Sequence, residues 1–227
     1  MKRLLICLLM VISSAAYAQE CNSMWPYMFG EFADAKIYFI DGQVANRKVN
    51  VHYQESQLHF LDKGVIKHTD GSKIRSVSVG DDNFIYIEGA LIKVEAAEES
   101  GFVGTITLID LNKLNEATGA YGTTSNVSST RELTSMEEIG GTSTNTNHME
   151  LSRNRESGRT LYLEEVRYLV LSNTKYKATR SSVNRMLSKE SKKAFKDFEK
   201  KMNINWDDPQ SLLQVVDFLN ENIEGEF

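Results

Sequence analysis

The sequence predicts an α+β fold, an antiparallel β-rich body followed by a C-terminal antiparallel helix pair. From about Trp25 to Asp110 apolar residues come in short runs separated by turn signals, the spacing of a meander that closes into a sandwich, a barrel or a strongly curled sheet. Beyond Lys175 the apolar period becomes helical. The 227 residues are 41% hydrophobic and 25% charged with only 2 Cys, which fits a globular chain with its own core and excludes a disulfide scaffold.

Residues 1–18 read as a secretory signal peptide. Lys2 and Arg3 precede an apolar run from Leu4 to Ile12, and Ala16 and Ala18 occupy the small-residue positions before a cleavage point after Ala18. The run is about half the roughly 20 residues that a membrane span needs, and the mature chain is expected to have no transmembrane span. Cys21 follows Gln19 and Glu20, a poor context for lipoprotein processing, so no lipid anchor is expected. Cys7 leaves with the leader, which makes Cys21 the single mature cysteine, read as inert and partly buried.

In the body, 19–174, Ala35-Ile40 and Val44-Tyr53 flank Asp41-Gly42, a dipeptide suited to a tight hairpin because both residues tolerate positive φ. Val49, Val51 and Tyr53 alternate with Asn50 and His52, the period of a strand with one buried face. Strands are expected at Leu58-Leu61, Val65-His68, Lys73-Val79, Phe84-Glu88, Leu91-Ala96 and Val103-Asp110, with turns at Asp70-Gly71 and Gly80-Asn83. Within 117–158, 24 of 42 residues are Ser, Thr, Asn or Gly, too few apolar side chains to offset the entropy of ordering. This stretch reads as a low-complexity mobile excursion that Met136, Ile139, Met149 and Leu151 could pin locally. Thr160-Ser172 returns to strand character.

The segment 175–227 is read as a helix pair packed on the same domain. Val183, Leu187, Ala194, Phe195, Phe198 and Met202 share one face of the first helix, with Arg185, Lys189, Lys192, Lys196 and Lys200 opposite. The second helix starts where Asp208 caps and Pro209 takes the first helical position, with Leu212, Val215, Val216, Leu219 and Ile223 inward. The charge is split between the two. Residues 175–201 carry ten basic and three acidic side chains, whereas 202–227 carry six acidic and no basic ones. The basic face, Arg185, Lys189, Lys192, Lys196 and Lys200, is therefore a candidate surface for an anionic partner, against the plainer reading that it is a solvated face balanced by acidic neighbours. Nucleic acid is not expected of an exported chain that is net acidic, the full sequence carrying −5.

Other constellations carry less. A hairpin turning at Glu55-Ser56 would set His52 directly across from His59, a weak metal pair lacking a third ligand and read as solvated. His68 and His148 are read as surface residues. Glu164 and Glu165 are adjacent on a strand and point to opposite faces, so they do not flank one bond as a glycosidase pair would. No nucleophile elbow, zinc-hydrolase helix or phosphate-binding Gly-rich loop occurs, and Ser172-Asn173-Thr174-Lys175 is an isolated Ser-x-x-Lys string. No catalytic residue and no cofactor is assigned. Trp25, Tyr27, Phe29 and Phe32, with Met24 and Met28 between, read as a buried strand opening the sheet, Pro26 suiting an edge.

The leader, the Trp25-Pro26-Tyr27 start, the strands Tyr38-Phe39-Ile40-Asp41-Gly42 and Asn50-Val51-His52-Tyr53, and a Lys-rich helix followed by Asp207-Asp208-Pro209 make the chain similar to a family of secreted or periplasmic Bacteroidetes proteins of unestablished function. The likeness spans most of the mature chain and implies a periplasmic, cell-surface or extracellular location, with no functional residue carried over. The reading is a non-catalytic envelope protein that binds or docks through a surface on an anionic envelope component or another envelope protein. The alternative is a hydrolase of envelope polymers or glycans.

Overall fold

The computed structural model describes residues 22–23, 25–68, 70–113, 146–147 and 161–222. The leader and its cleavage point, Cys21, Met24, His148, Ile223 and all of the excursion except Thr146 and Asn147 lie outside the described residues.

Twelve strands occur among the described residues: β1 (Asn22–Ser23), β2 (Ala33–Phe39), β3 (Val44–His52), β4 (Gln57–Asp62), β5 (Val65–His68), β6 (Ile74–Val79), β7 (Asp82–Ile87), β8 (Ala90–Glu98), β9 (Gly101–Ile109), β10 (Thr146–Asn147), β11 (Leu161–Leu171) and β12 (Thr174–Lys177). Three helices follow: α1 (Arg180–Met186), α2 (Lys189–Met202) and α3 (Pro209–Asn222). This is an α+β fold. The sheet runs in the order β1-β11-β9-β8-β7-β6-β2-β3-β4-β5-β10, with β12 on β11. Every pairing is antiparallel.

Hairpin turns supply most of the connections. Lys63-Gly64, Glu88-Gly89 and Ser172-Asn173 each place two residues at positive φ between paired strand ends, the backbone that matches the twist of a two-residue hairpin. The Asp41-Gly42 hairpin is present but differs in kind. Phe39 and Gln43 close a three-residue loop in which only Gly42 has positive φ, while the Asp41 carboxylate accepts from the Gln43 amide.

Curvature brings distant parts of the sheet together. The four-residue turn Tyr53–Ser56 reaches β8 and β9: Leu91 donates its amide to the Ser56 carbonyl, the Ser56 hydroxyl donates back to the Leu91 carbonyl at 2.6 Å, and the Ile109 amide donates to the Tyr53 carbonyl. Inside the curl Ile37, Val49, Val51, Leu58, Val77, Phe84 and Leu91 form a core. The helices build a second core outside it. Val183, Leu187, Phe195, Leu212, Val215, Val216 and Leu219 bury against Ala96, Val103, Leu169 and Leu171 of β8, β9 and β11. At Gly101 a Cβ would lie 2.2 Å from the Val170 carbonyl oxygen and 3.0 Å from Val216, so the close approach of α3 to the sheet depends on that glycine. Arg167 of β11 ties the helices down further, bonding Glu95 at 2.7 Å and the Asp207 carbonyl at 3.1 Å.

Four expectations are corrected. β3 is buried on both faces from Val49 to His52, because residues 25–32 lie as a strap over the face that carries Asn50 and His52. That strap is not a strand. Tyr27 makes one bridge to His52, and the side chain of Asn50 replaces ladder bonds by accepting from the Phe29 amide at 2.9 Å and donating to the carbonyls of Phe29 and Glu31. The first helix is interrupted: Leu187 is extended, and the Ser188 hydroxyl caps α2 by accepting from the Ser191 amide, as the Thr179 hydroxyl caps α1. Within α2 Phe195 is buried, while Ala194 beside it is exposed and Met202, on the last helical position, is 43% exposed. α3 agrees with its sequence reading, its first amides satisfied by the Asp208 carboxylate and Leu212, Val215, Val216 and Leu219 fully buried. No described helix is long and apolar enough to cross a membrane.

Candidate functional site

α1 and α2 meet along a groove of about 590 Å³ whose floor includes Phe195. One wall carries Lys192, Lys196 and Lys200 of α2, the other Arg180 and Asn184 of α1. The lysines recur every four residues, so a single helix sets them in a row about 6 Å apart at a rise of about 1.5 Å per residue. All three are exposed. Among the described residues no carboxylate lies within ion-pair distance of any of them, so their charge faces solvent.

The groove's one carboxylate is already engaged. Glu199 accepts from Arg180 Nε at 2.8 Å and from Trp206 Nε1 at 2.9 Å, and its side chain is only 12% exposed. This contact holds the start of α1, the end of α2 and the loop before α3 in one geometry. It also neutralises Arg180, leaving the lysine row as the excess charge.

Of the basic face read from the sequence, Lys192, Lys196 and Lys200 come together in the groove. Lys189 and Arg185 do not line it, and Arg185 folds back toward the Ser181 carbonyl and the Ser182 hydroxyl. Arg180, Asn184 and Glu199 were missed. Thr179 as a cap before Arg180 was a local signal for a separate short helix, but its packing against α2 was not readable from periodicity.

The histidines are arranged differently from the sequence reading. His52 pairs with Gln57 and His59 with Asn50, a register two residues away from one that turns at Glu55-Ser56. The two rings are therefore diagonal neighbours, stacked at 4.9 Å and 17°, and they are 5% and 4% exposed, not solvated. His68, opposite His59 on β5, is the third of the row at 6.5 Å. Tyr27 of the strap packs edge-on against His52 and His59, and its oxygen is 2.9 Å from His59 Nδ1. Parallel rings with one nitrogen engaged by a phenol do not converge on a common point. No group of three His, Cys, Asp or Glu placed to hold a metal occurs among the described residues.

Burial pushes His52 down to about 4 and His59 down to about 3, with His52 and His68 adding to the shift at His59. Burial likewise raises the Tyr27 phenol above its ordinary value. Both rings and the phenol are thus neutral at pH 7, as a dry contact between strap and sheet requires.

A second concavity, about 640 Å³, lies on β2, β3 and β6 and mixes Asp34 with Lys36 and Arg47 around Tyr38. Neither concavity brings two carboxylates or a histidine together, the convergence that acid-base hydrolysis needs. No family model, curated protein or solved structure matches the chain.

Proposed function

We propose that this is an exported, non-catalytic envelope protein of the secreted Bacteroidetes type, which docks on an anionic envelope component through the groove between α1 and α2. One observation carries the reading: three exposed lysines stand in a row on one wall of a concave surface, with no carboxylate in ion-pair distance among the described residues. A solvated helix face needs no such concavity. Export is supported by the residues of the leader, with cleavage after Ala18 leaving the groove on a chain that meets envelope polymers.

The test is binding of the purified protein to a panel of envelope-type anions, comprising anionic vesicles and anionic polymers, with Lys192, Lys196 and Lys200 changed together to Glu. Binding that falls at least tenfold supports docking at the groove. Binding that is unchanged, or absent from the start, rejects it.

A further inference from the structure

We infer that the groove's ligand is a linear phosphodiester-linked polymer, an extended chain with one negative charge per repeat, an inference that rests on the docking function proposed above. The spacing of the cations is the first reason. Lys192, Lys196 and Lys200 project from successive turns of α2, about 6 Å apart and about 12 Å end to end by helical rise. Phosphates one repeat apart along an extended phosphodiester chain are separated by a similar distance. Three ammonium groups in a row repel one another, and a polymer of matching charge spacing relieves all three, whereas a compact anion meets one or two.

The kind of cation is the second reason. Each free charge on the wall is an ammonium, a point charge that accepts a tetrahedral phosphate in many orientations and does not demand the planar bidentate geometry of a carboxylate. The guanidinium in the groove, Arg180, is held at 2.8 Å by Glu199. Asn184, on the opposite wall, offers a neutral amide suited to the hydroxyl or ester oxygens between phosphates.

Shape and apolar content separate this ligand from a membrane plane. A helix that lies on a bilayer presents apolar side chains beside its basic ones so that they enter the interface. Here Phe195 is 1% exposed and Phe198 packs with it against Phe218, so the large rings of α2 are committed to the core. The lysines line a groove backed by α1, which a chain can enter and a flat surface cannot.

The experiment measures binding of the purified protein to glycerol phosphodiester oligomers of increasing length, to inorganic phosphate, to dextran sulfate, and to phosphatidylcholine vesicles containing phosphatidylglycerol. The inference expects affinity for the oligomer to rise with length until about three phosphates are engaged, and to exceed that for the other probes. Three neutralised phosphates imply a loss of about 20-fold between 50 and 200 mM salt. The Lys192→Gln, Lys196→Gln, Lys200→Gln triple variant should lose at least tenfold. Lysine-to-arginine changes at the same positions keep the charges but replace each point charge with a planar fork, and should weaken binding less than the Gln variant does; Arg185→Gln with Lys189→Gln, which lie off the groove, should leave it unaltered. Vesicle binding without oligomer binding, or dextran sulfate binding as strong as the oligomer, overturns the polymer assignment while leaving the docking function standing. No binding to any probe removes both.

Discussion

The Tyr27 hydroxyl and His59 Nδ1 lie 2.9 Å apart, a buried hydrogen bond that joins the N-terminal strap to the sheet 32 residues further along the chain. Both groups are neutral, so the bond joins a phenol to an uncharged imidazole, with Tyr27 2% and His59 4% exposed. Tyr27→Phe keeps the edge-on ring packing and removes only the oxygen, leaving His59 Nδ1 unsatisfied. Stability should fall by about 1 to 3 kcal/mol in urea denaturation, with fold unchanged by circular dichroism.

The same site dictates a pH dependence. His52 titrates at about 4 and His59 at about 3 in the folded protein, against about 6.5 when unfolded. Between these values the unfolded chain binds more protons, so the stabilisation is fully present above pH 6.5 and is lost as pH falls toward 4 and then 3. His52 alone accounts for about 3 kcal/mol over that window. Urea midpoints recorded from pH 7.5 to pH 4.5 should decline steadily, and His52→Gln should flatten the decline.

Asn50 holds the strap from the β3 side, with its carbonyl oxygen on the Phe29 amide and its amide on the carbonyls of Phe29 and Glu31. Asn50→Ala removes all of these at a fully buried position and should cost about 3 kcal/mol. Amide hydrogen exchange should show the gain in opening first at Phe29, whose own donor loses its acceptor.

Gly101→Ala would set a methyl group 2.2 Å from the Val170 carbonyl oxygen, a backbone atom that cannot swing aside. The clash pries β9 from β11 and α3 from both, and about 2 kcal/mol or more of stability should be lost in urea denaturation.

Glu199→Gln converts the neutral Arg180 pair into a free cation while Gln can still accept from Trp206. Arg180 is 64% exposed, so the stability change should stay below about 1 kcal/mol. Binding of an anionic polymer, measured by calorimetry, should tighten several-fold with a steeper salt dependence.

Much of the fold was legible locally. β5 matches its expected bounds, and most other long strands differ from theirs by one or two residues, because apolar alternation and turn residues act over a few positions. The register of β3 and β4 was not legible. It depends on Ser56, whose hydroxyl and carbonyl are bonded to Leu91 35 residues away, and that contact draws out a four-residue turn where the local sequence suggested two. The burial of His52 and His59 was missed for a related reason, since alternation assigns one face to the core and cannot show that a strap covers the other.

The candidate groove divides the same way. The lysine row of α2 is a property of residues four apart on one helix, and periodicity exposes it without any knowledge of neighbours. The opposing wall is not, because Ser188 interrupts the helix and turns α1 back so that Arg180 meets Glu199, 19 residues later.

The chain's local chemistry thus established the strand and helix periods and the opposition of a basic helix to an acidic one, since each arises from side chains a few residues apart. Packing alone established the pairing register, the buried histidine face and the wall opposite the lysines. Those features come from contacts between segments far apart in the chain, whose free energy appears only when burial and hydrogen bonding are satisfied together, and no local spacing records it.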